Sequence, residues 1–169
     1  MNLFSKIFSK NEPKPAVQEK TPLSLEIGDI VTYNMKDFEV TGKITYRDGR
    51  HQLFHYLLFD DSEGKILTAS MDEEMKLGIF QRVLPAHHQS FPSHIKYENV
   101  MFYKAREASA RMLGYGSYSR LHGILAKVAE YRDAAGKSLL QLETWGTEQK
   151  MMIGYPIEPF ELKIIAGKK

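Results

Sequence analysis

Six histidines among 169 residues raise the question of a metal site. His87, His88 and His94 cluster near the middle of the chain, and His51 and His55 lie four residues apart. In a strand, two residues four apart share a face, but their Cα atoms are about 13 Å apart, too far to bind one ion without a third element. No metal-binding spacing is present. The pattern therefore predicts solvated loop histidines and one paired strand histidine, with no metal and no cofactor.

Carboxylates are the other groups that could carry out acid–base chemistry. The acidic run at 72–74 and the pair Glu143 and Glu148 could in principle supply a general acid and a general base. That chemistry requires two carboxylates in different environments within one pocket. These carboxylates fall at predicted turns, where charged groups are usually solvated. The sequence thus predicts no catalytic residue among them.

Nucleophiles and phosphate-binding loops are not indicated either. The chain has no cysteine, which excludes thiolate metal sites and disulfides. The sequence Gly114-Tyr115-Gly116-Ser117 has neither the lysine of a P-loop nor the spacing of a dinucleotide fingerprint. Ser117, Ser119 and His122 lack the G-x-S-x-G motif of a hydrolase. We expect a protein that is not an enzyme.

Trp145 is the single tryptophan and has two interpretations. Strict alternation places it beside Glu143 on the less buried face of a strand. A tryptophan there can cover the end of a barrel or the joint between two units. It can also anchor a protein interaction, because tryptophan is enriched at binding hot spots. The second interpretation makes Glu143, Trp145 and Glu148 candidate interaction residues.

The first ten residues, MNLFSKIFSK, have the pattern of an amphipathic helix. At about 100° per residue the apolar side chains fall on one arc, and the polar ones fill the remainder. The segment has neither the apolar length nor the cleavage site of a signal peptide. We expect it to bind an anionic membrane surface or a partner, with self-packing or fraying as the alternative. The candidate binding residues are Leu3, Phe4, Lys6, Ile7, Phe8 and Lys10.

The cationic bias of the chain is confined to this N-terminal region. The net charge is +2, and the first twenty residues already contain four lysines against two glutamates. The remaining chain is electrically balanced, so nucleic acid is not an expected partner. Residues 11–24 contain three prolines and few large apolar groups, which predicts a flexible linker.

From residue 25 onward the dominant hydrophobic period is two, which indicates strands. The stretch 104–113 has the alternative of a helix by propensity, because it contains three alanines. Many short strands with frequent turn signals favour small barrels or a sandwich. The predicted strands lie near 29–34, 37–46, 53–60, 65–71, 75–83, 97–105, 108–114, 122–132, 138–145, 149–155 and 159–165.

Two segments of the chain resemble each other. Residues 56–80 and 128–155 both contain an aromatic-containing strand, an acidic turn, Gly-Lys, an apolar strand, an acidic stretch and a final Gly-aromatic strand. The echo predicts two small related β-barrel or β-sandwich units packed together, preceded by the amphipathic helix and the linker. The predicted boundaries are 1–10 for the leader, 11–24 for the linker, 25–84 for the first unit, 85–94 for a connector and 95–169 for the second unit.

Several short motifs occur along the chain at 25–33 (LEIGDIVTY), 38–44 (FEVTGKI), 56–58 (YLL), Gly64, 136–139 (GKSL), 143–148 (ETWGTE) and 153–155 (IGY). Together these motifs resemble a bacterial family, domain of unknown function number four-one-seven-eight. The first half departs from the family pattern at 67–69, where a tryptophan-bearing strand is expected.

The resemblance implies a cytoplasmic accessory role, because genes of this family often lie near those of phage-shock-protein-A-like membrane coat proteins. The main hypothesis is a non-enzymatic protein at the inner face of the cell membrane, acting through protein contacts in envelope stress or membrane maintenance. A phage-shock-protein-A-like coat protein is then the expected partner. One alternative is a small-ligand-binding or enzymatic domain with a pocket between the two units. The second is an SH3-like peptide-binding module, suggested by the Gly-Asp-x-Val-x-Tyr opening at 28–33.

Overall fold

A computed structural model describes residues 19–85 and 90–168. Two short 3-10 turns, Ser119–Leu121 and Pro159–Glu161, interrupt an otherwise all-β chain. The strands are β1 (Ile30–Tyr33), β2 (Lys36–Asp48), β3 (His51–Phe59), β4 (Gly64–Met71), β5 (Met75–Val83), β6 (His94–Tyr97), β7 (Val100–Gly116), β8 (Leu125–Arg132), β9 (Leu139–Trp145), β10 (Glu148–Ile157) and β11 (Leu162–Ile165).

All of these strands belong to one antiparallel sheet. Their order is β11-β1-β2-β3-β4-β5-β10-β9-β8-β7-β6, and an additional pairing of β2 with β7 closes eight of them into a barrel. Strands β1 and β11 extend the sheet beyond β2, and β6 extends it beyond β7. The strands of both predicted units thus build a single barrel, which corrects the expectation of two packed units. The physical reason is that β5 pairs with β10 and β2 with β7, so neither half has a closed sheet of its own.

Most of the predicted strands are confirmed, and the differences lie in the second half. Strand β6 (His94–Tyr97) was not predicted, and the first residues of the strand expected at 159–165 form a 3-10 turn. The strands expected at 97–105 and 108–114 are a single long strand, β7, with an irregularity between Lys104 and Arg106. The helix that was the alternative for 104–113 does not form. Strand pairing on both sides, with β8 and β2, outweighs the helix propensity of its alanines. A bulge at this point lets β7 bend from the outer strand β6 into the barrel.

Two apolar layers cover the outside of the barrel. On one side, β1 and the residues just before it pack over β3, β4 and β5. Leu25, Val31, Tyr56 and Leu67 are fully buried in this layer. On the other side, β6 and the segment before it pack over β8, β9 and β10. Strands that face an apolar layer on one side and the barrel interior on the other are buried on both faces. This accounts for the long buried runs in β4, β9 and β10.

Glycines make room for a ring inside the barrel. A Cβ at Gly78 would lie 2.6 Å from the Phe80 ring, and a Cβ at Gly154 would lie 2.8 Å from the same ring. Phe80 is buried and packs with Ile66, Met152 and the partly buried Leu139. The two glycines are equivalent positions of the sequence echo, and they lie on the neighbouring strands β5 and β10.

The leader 1–10 and its candidate residues lie outside the described residues, as do His87 and His88 of the connector. The amphipathic helix therefore stays a prediction. In the portion of the chain that the structure describes, no helix is long and apolar enough to cross a membrane.

Candidate functional site

The barrel contains a cavity of about 530 Å³ at one end. The mouth of this cavity is formed by the β2–β3, β4–β5 and β8–β9 turns and by the last residues of β10. We call this end of the barrel the open end. The volume of the cavity falls within the range of pockets that bind small organic molecules.

The wall of the cavity is mixed, and part of it carries small apolar side chains. Ala108 and Ala110 of β7 face the cavity beside Val128 of β8, and Gly78 of β5 lies across from them. Phe80 and Leu139 add larger apolar surface. Polar lining groups come from Tyr46, Thr68, Ser70 and Gln141. Apolar surface beside polar groups that can fix an orientation is a combination that small-molecule sites use.

A polar network lies inside the barrel beyond the cavity. The carboxylate of Glu143 on β9 and the ammonium of Lys150 on β10 form an ion pair with an Oε2–Nζ distance of 2.7 Å. These side chains face each other because Glu143 and Lys150 are paired positions of the β9–β10 hairpin. On the other side, Nδ1 of His55 on β3 lies 3.6 Å from Oε1 of Glu143. The side chains of His55 and Glu143 have no exposed surface, and that of Lys150 is 3% exposed.

Gln141 connects this network to the cavity. Its Nε2 donates to Nε2 of His55 at 3.0 Å and to Oε1 of Glu143 at 3.4 Å. Reversing the amide would direct its carbonyl oxygen at the carboxylate, so the contact with Glu143 fixes the orientation. His55 then accepts at Nε2 and carries its proton on Nδ1, towards Glu143. Because both amide hydrogens are engaged with the network, the carbonyl oxygen of Gln141 is the group left for the cavity.

Burial governs the protonation of the network. It lowers the pKa of His55 from 6.5 to about 3, against the smaller opposing effect of Glu143, so the imidazole is neutral. Burial alone would raise the pKa of Glu143, but the ammonium of Lys150 outweighs it and holds that pKa below its ordinary value. Burial, together with the neighbouring Glu143 carboxylate, raises the pKa of Tyr46 well above its ordinary value. The network therefore contains one ion pair and otherwise neutral groups.

The other end of the barrel is closed. The segment containing the 3-10 turn Ser119–Leu121 crosses it, and Leu121 packs with Ile44, Met112 and the partly buried Tyr118 and Trp145. Tyr118 lies so close to β2 that a Cβ at Gly42 would be 2.9 Å from its ring. The ammonium of Lys150 lies 5.7 Å from the centre of the Tyr118 ring, within the range of a cation–π contact. We call this the closed end.

The mouth of the cavity is rich in charge. Five carboxylates line the open end, against three basic side chains and His51. All are exposed or partly exposed. The carboxylates belong to Asp48, Asp72, Glu74, Glu130 and Glu158, and the basic groups to Lys76, Arg106 and Arg132.

The three residues predicted to contact a partner occupy different environments. Glu143 is fully buried inside the barrel and has no surface with which to contact a partner. Trp145 is partly buried at the closed end, and Glu148 is exposed. The expectation that carboxylates near turns are solvated is wrong for Glu143. Its side chain points into the barrel, where the ammonium of Lys150 balances the charge of the carboxylate.

Sequence reasoning missed His55, Gln141 and Lys150 as members of one network. One signal was available: Gln141 and Glu143 share a face of a strand whose other face is apolar, so a polar face had to point either to solvent or to a lined interior. Among the residues described, no group of three or more histidine, aspartate and glutamate side chains could hold a metal ion.

A family model described as "Domain of unknown function (DUF4178)" matches residues 26–159, which is more than half of the chain. The chain belongs to the DUF4178 family. The match covers both halves of the barrel and therefore includes the DUF4178 cavity and its network. No curated protein and no solved structure matches the chain.

Proposed function

We propose that this DUF4178 domain binds a small organic molecule in the open end of its barrel. The observation that supports the proposal most directly is the 530 Å³ cavity, which has a mixed apolar and polar lining and an open mouth. This is the small-ligand alternative of the sequence analysis, relocated from a pocket between two units to the interior of one barrel.

The proposal is one of binding, without a chemical step. His55, Glu143 and Lys150 are each engaged with another member of the network, behind Gln141. That arrangement supports an ordered polar floor for a ligand. A protein that binds without reacting also agrees with the lack of a catalytic motif in the sequence.

Fluorescence of N-phenyl-1-naphthylamine tests the cavity, because this neutral dye becomes bright in apolar sites. We expect saturable enhancement with the wild-type protein. Ala108 faces the cavity and is only partly buried, so Ala108→Trp should fill the mouth and lower the dye affinity at least about tenfold. The matched control is Ser109→Trp, on the next residue of the same strand and exposed.

The control should bind the dye like the wild type, because alternate residues of β7 point to opposite faces. Circular dichroism and thermal unfolding confirm that both variants keep the fold. Absence of saturable enhancement with the wild-type protein would contradict the proposal. So would equal dye affinity for the folded Ala108→Trp and Ser109→Trp proteins.

The N-terminal leader supports a second, compatible proposal of membrane association. Its basis is the sequence pattern in which Phe4, Ile7 and Phe8 share one arc and Lys6 and Lys10 lie outside it. A peripheral protein at the inner face of the membrane, working with a phage-shock-protein-A-like coat protein in envelope stress, is the corresponding cellular role. Sedimentation with anionic vesicles tests it: the full chain should partition with them more than a version lacking residues 1–10. Equal partition would remove this second proposal.

A further inference from the structure

We infer that the cavity selects ligands whose inner end carries a hydrogen-bond donor, such as an amide or an alcohol, and rejects ligands whose inner end is a carboxylate. This inference rests on the proposed binding function and adds the chemical class of the ligand. It concerns the floor of the cavity, where Gln141 is the polar group between the cavity and the buried network.

The first support is the orientation of the Gln141 amide. Both hydrogens of Nε2 are committed, one to His55 and one to Glu143, at 3.0 and 3.4 Å. In the described part of the chain, no hydrogen bond reaches Oε1 of this side chain, which is 98% buried and lines the cavity. A ligand that enters therefore meets an acceptor, and a buried acceptor gains most from a donor.

The second support is the sign of the charge around the floor. Glu143 is the nearest anion, and its charge is already matched by Lys150, so the network has no cation to spare for an anionic ligand. The cationic side chain of Lys150 lies on the far side, towards Tyr118 and the closed end. A carboxylate at the floor would face the oxygen atom of Gln141 and would lose its water with no free cation to compensate.

The third support is the mouth, where carboxylates outnumber basic groups. Exposed charges of this kind act at long range and are screened by salt. They disfavour the approach of an anion, but they do not distinguish one neutral head group from another. The hydroxyls of Tyr46, Thr68 and Ser70 can donate to an amide oxygen and to a carboxylate alike, so we assign the selection between isosteric ligands to Gln141.

Octanamide and octanoate form a matched probe pair, because they have the same chain and nearly the same head-group shape. Each is titrated against N-phenyl-1-naphthylamine bound to the full-length protein at pH 7. We expect octanamide to displace the dye at a concentration at least about tenfold lower than octanoate. The preference should persist in about 0.5 M NaCl, which screens the mouth.

Two further measurements locate the effect. Gln141→Met keeps the shape but removes the acceptor, so it should abolish the preference for octanamide. Because that variant also leaves His55 and Glu143 without the amide, it can lose the fold. The wild-type protein then provides the measurement by nuclear magnetic resonance: octanamide should shift the Gln141 side-chain amide signals and octanoate should not.

The outcomes separate the two proposals. Dye binding with equal displacement by the two probes, or with octanoate the stronger, overturns this inference and leaves the cavity function standing. A preference for octanamide that vanishes in salt also overturns it, because the mouth and not Gln141 would then be responsible. Failure of the dye to bind at all overturns the cavity function and this inference together.

Discussion

The two ends of one barrel are built from the same eight strands, yet one end is filled and the other is open. At the closed end, Tyr118 and Leu121 lie across the strands, and Lys150 and Glu143 occupy the interior beneath them. At the open end the inward positions include small side chains, among them Ala108, Ala110, Thr68 and Ser70, around 530 Å³ of space.

Because the same strands run through both ends, strand pairing alone does not account for the cavity, and the side chains and the crossing segment contribute to the difference. Eight strands enclose an interior just wide enough for side chains to fill it or to hold one small ligand. Large inward residues and a crossing segment fill the closed half, and small residues leave the other half free. A buried ion pair is expensive to desolvate, so it needs tight surroundings, and the closed end provides them.

Lys150→Met, at the closed end, should have the largest effect on the free energy of unfolding. It removes the cation and leaves the carboxylate of Glu143 charged and fully buried. We expect the free energy of unfolding in urea to fall by about 3–5 kcal/mol, the typical cost of breaking a buried pair.

The control for this substitution is the double variant Lys150→Met with Glu143→Gln. It removes both charges, so most of the lost stability should return. If Lys150→Met alone costs less than about 1 kcal/mol, the closed end is accessible to water, and the two ends do not differ in their access to water.

The next effect in size is a pH dependence due to His55. Its folded pKa of about 3 lies below its ordinary 6.5, so the stability that the neutral imidazole contributes is present above pH 6.5 and is lost as the pH falls towards 3. At about pH 4.5, before carboxylate protonation dominates, the wild type should have lost about 2–3 kcal/mol relative to pH 7.5.

His55→Gln keeps an acceptor for Gln141 but does not titrate. Urea unfolding of this variant at the same two pH values should lack this loss. If the variant and the wild type respond equally to pH, the imidazole is not held in the dry environment that the fold gives it.

A smaller effect is expected where the crossing segment meets the strands. Gly42→Ala places a Cβ 2.9 Å from the Tyr118 ring and 3.3 Å from Cβ of Leu57. The ring must shift, and we expect a loss of about 1–3 kcal/mol in the free energy of unfolding. In a Tyr118→Ala background the same substitution should cost less, and a double-mutant cycle measures the difference. Equal costs in both backgrounds would show that Tyr118 does not determine the packing at Gly42.

Much of the fold could be predicted from the sequence because strand alternation and turn residues are local signals. The turn at Gly136, whose φ is +66°, and the alternation in the first part of β2 were both identified from neighbouring residues alone. The sequence echo was also meaningful, since it marks two three-stranded segments that meet at the β5–β10 pair. The echo was wrongly interpreted as two separate units, because the pairing of one segment with the other produces no signal in the local sequence.

The site itself could not be predicted for the same reason. Glu143 and His55 are 88 positions apart and meet only because the barrel closes through β2 and β7. Without that closure, the face carrying Gln141 and Glu143 is indistinguishable from a solvated face. Small residues such as Ala108 and Ala110 carry no functional signature, yet their lack of bulk leaves space in the cavity.

The smallest effect should come from the open end, at Ser70. Its hydroxyl lines the cavity, the residue is only partly buried, and within the described residues it makes no side-chain hydrogen bond. Ser70→Ala should therefore change the free energy of unfolding by less than about 0.5 kcal/mol in urea, roughly a tenth of the effect of Lys150→Met. A loss above about 1 kcal/mol would show that the open end is already held by internal interactions. A near-neutral result means that polar groups at the open end are not required for stability, which leaves them available to a ligand.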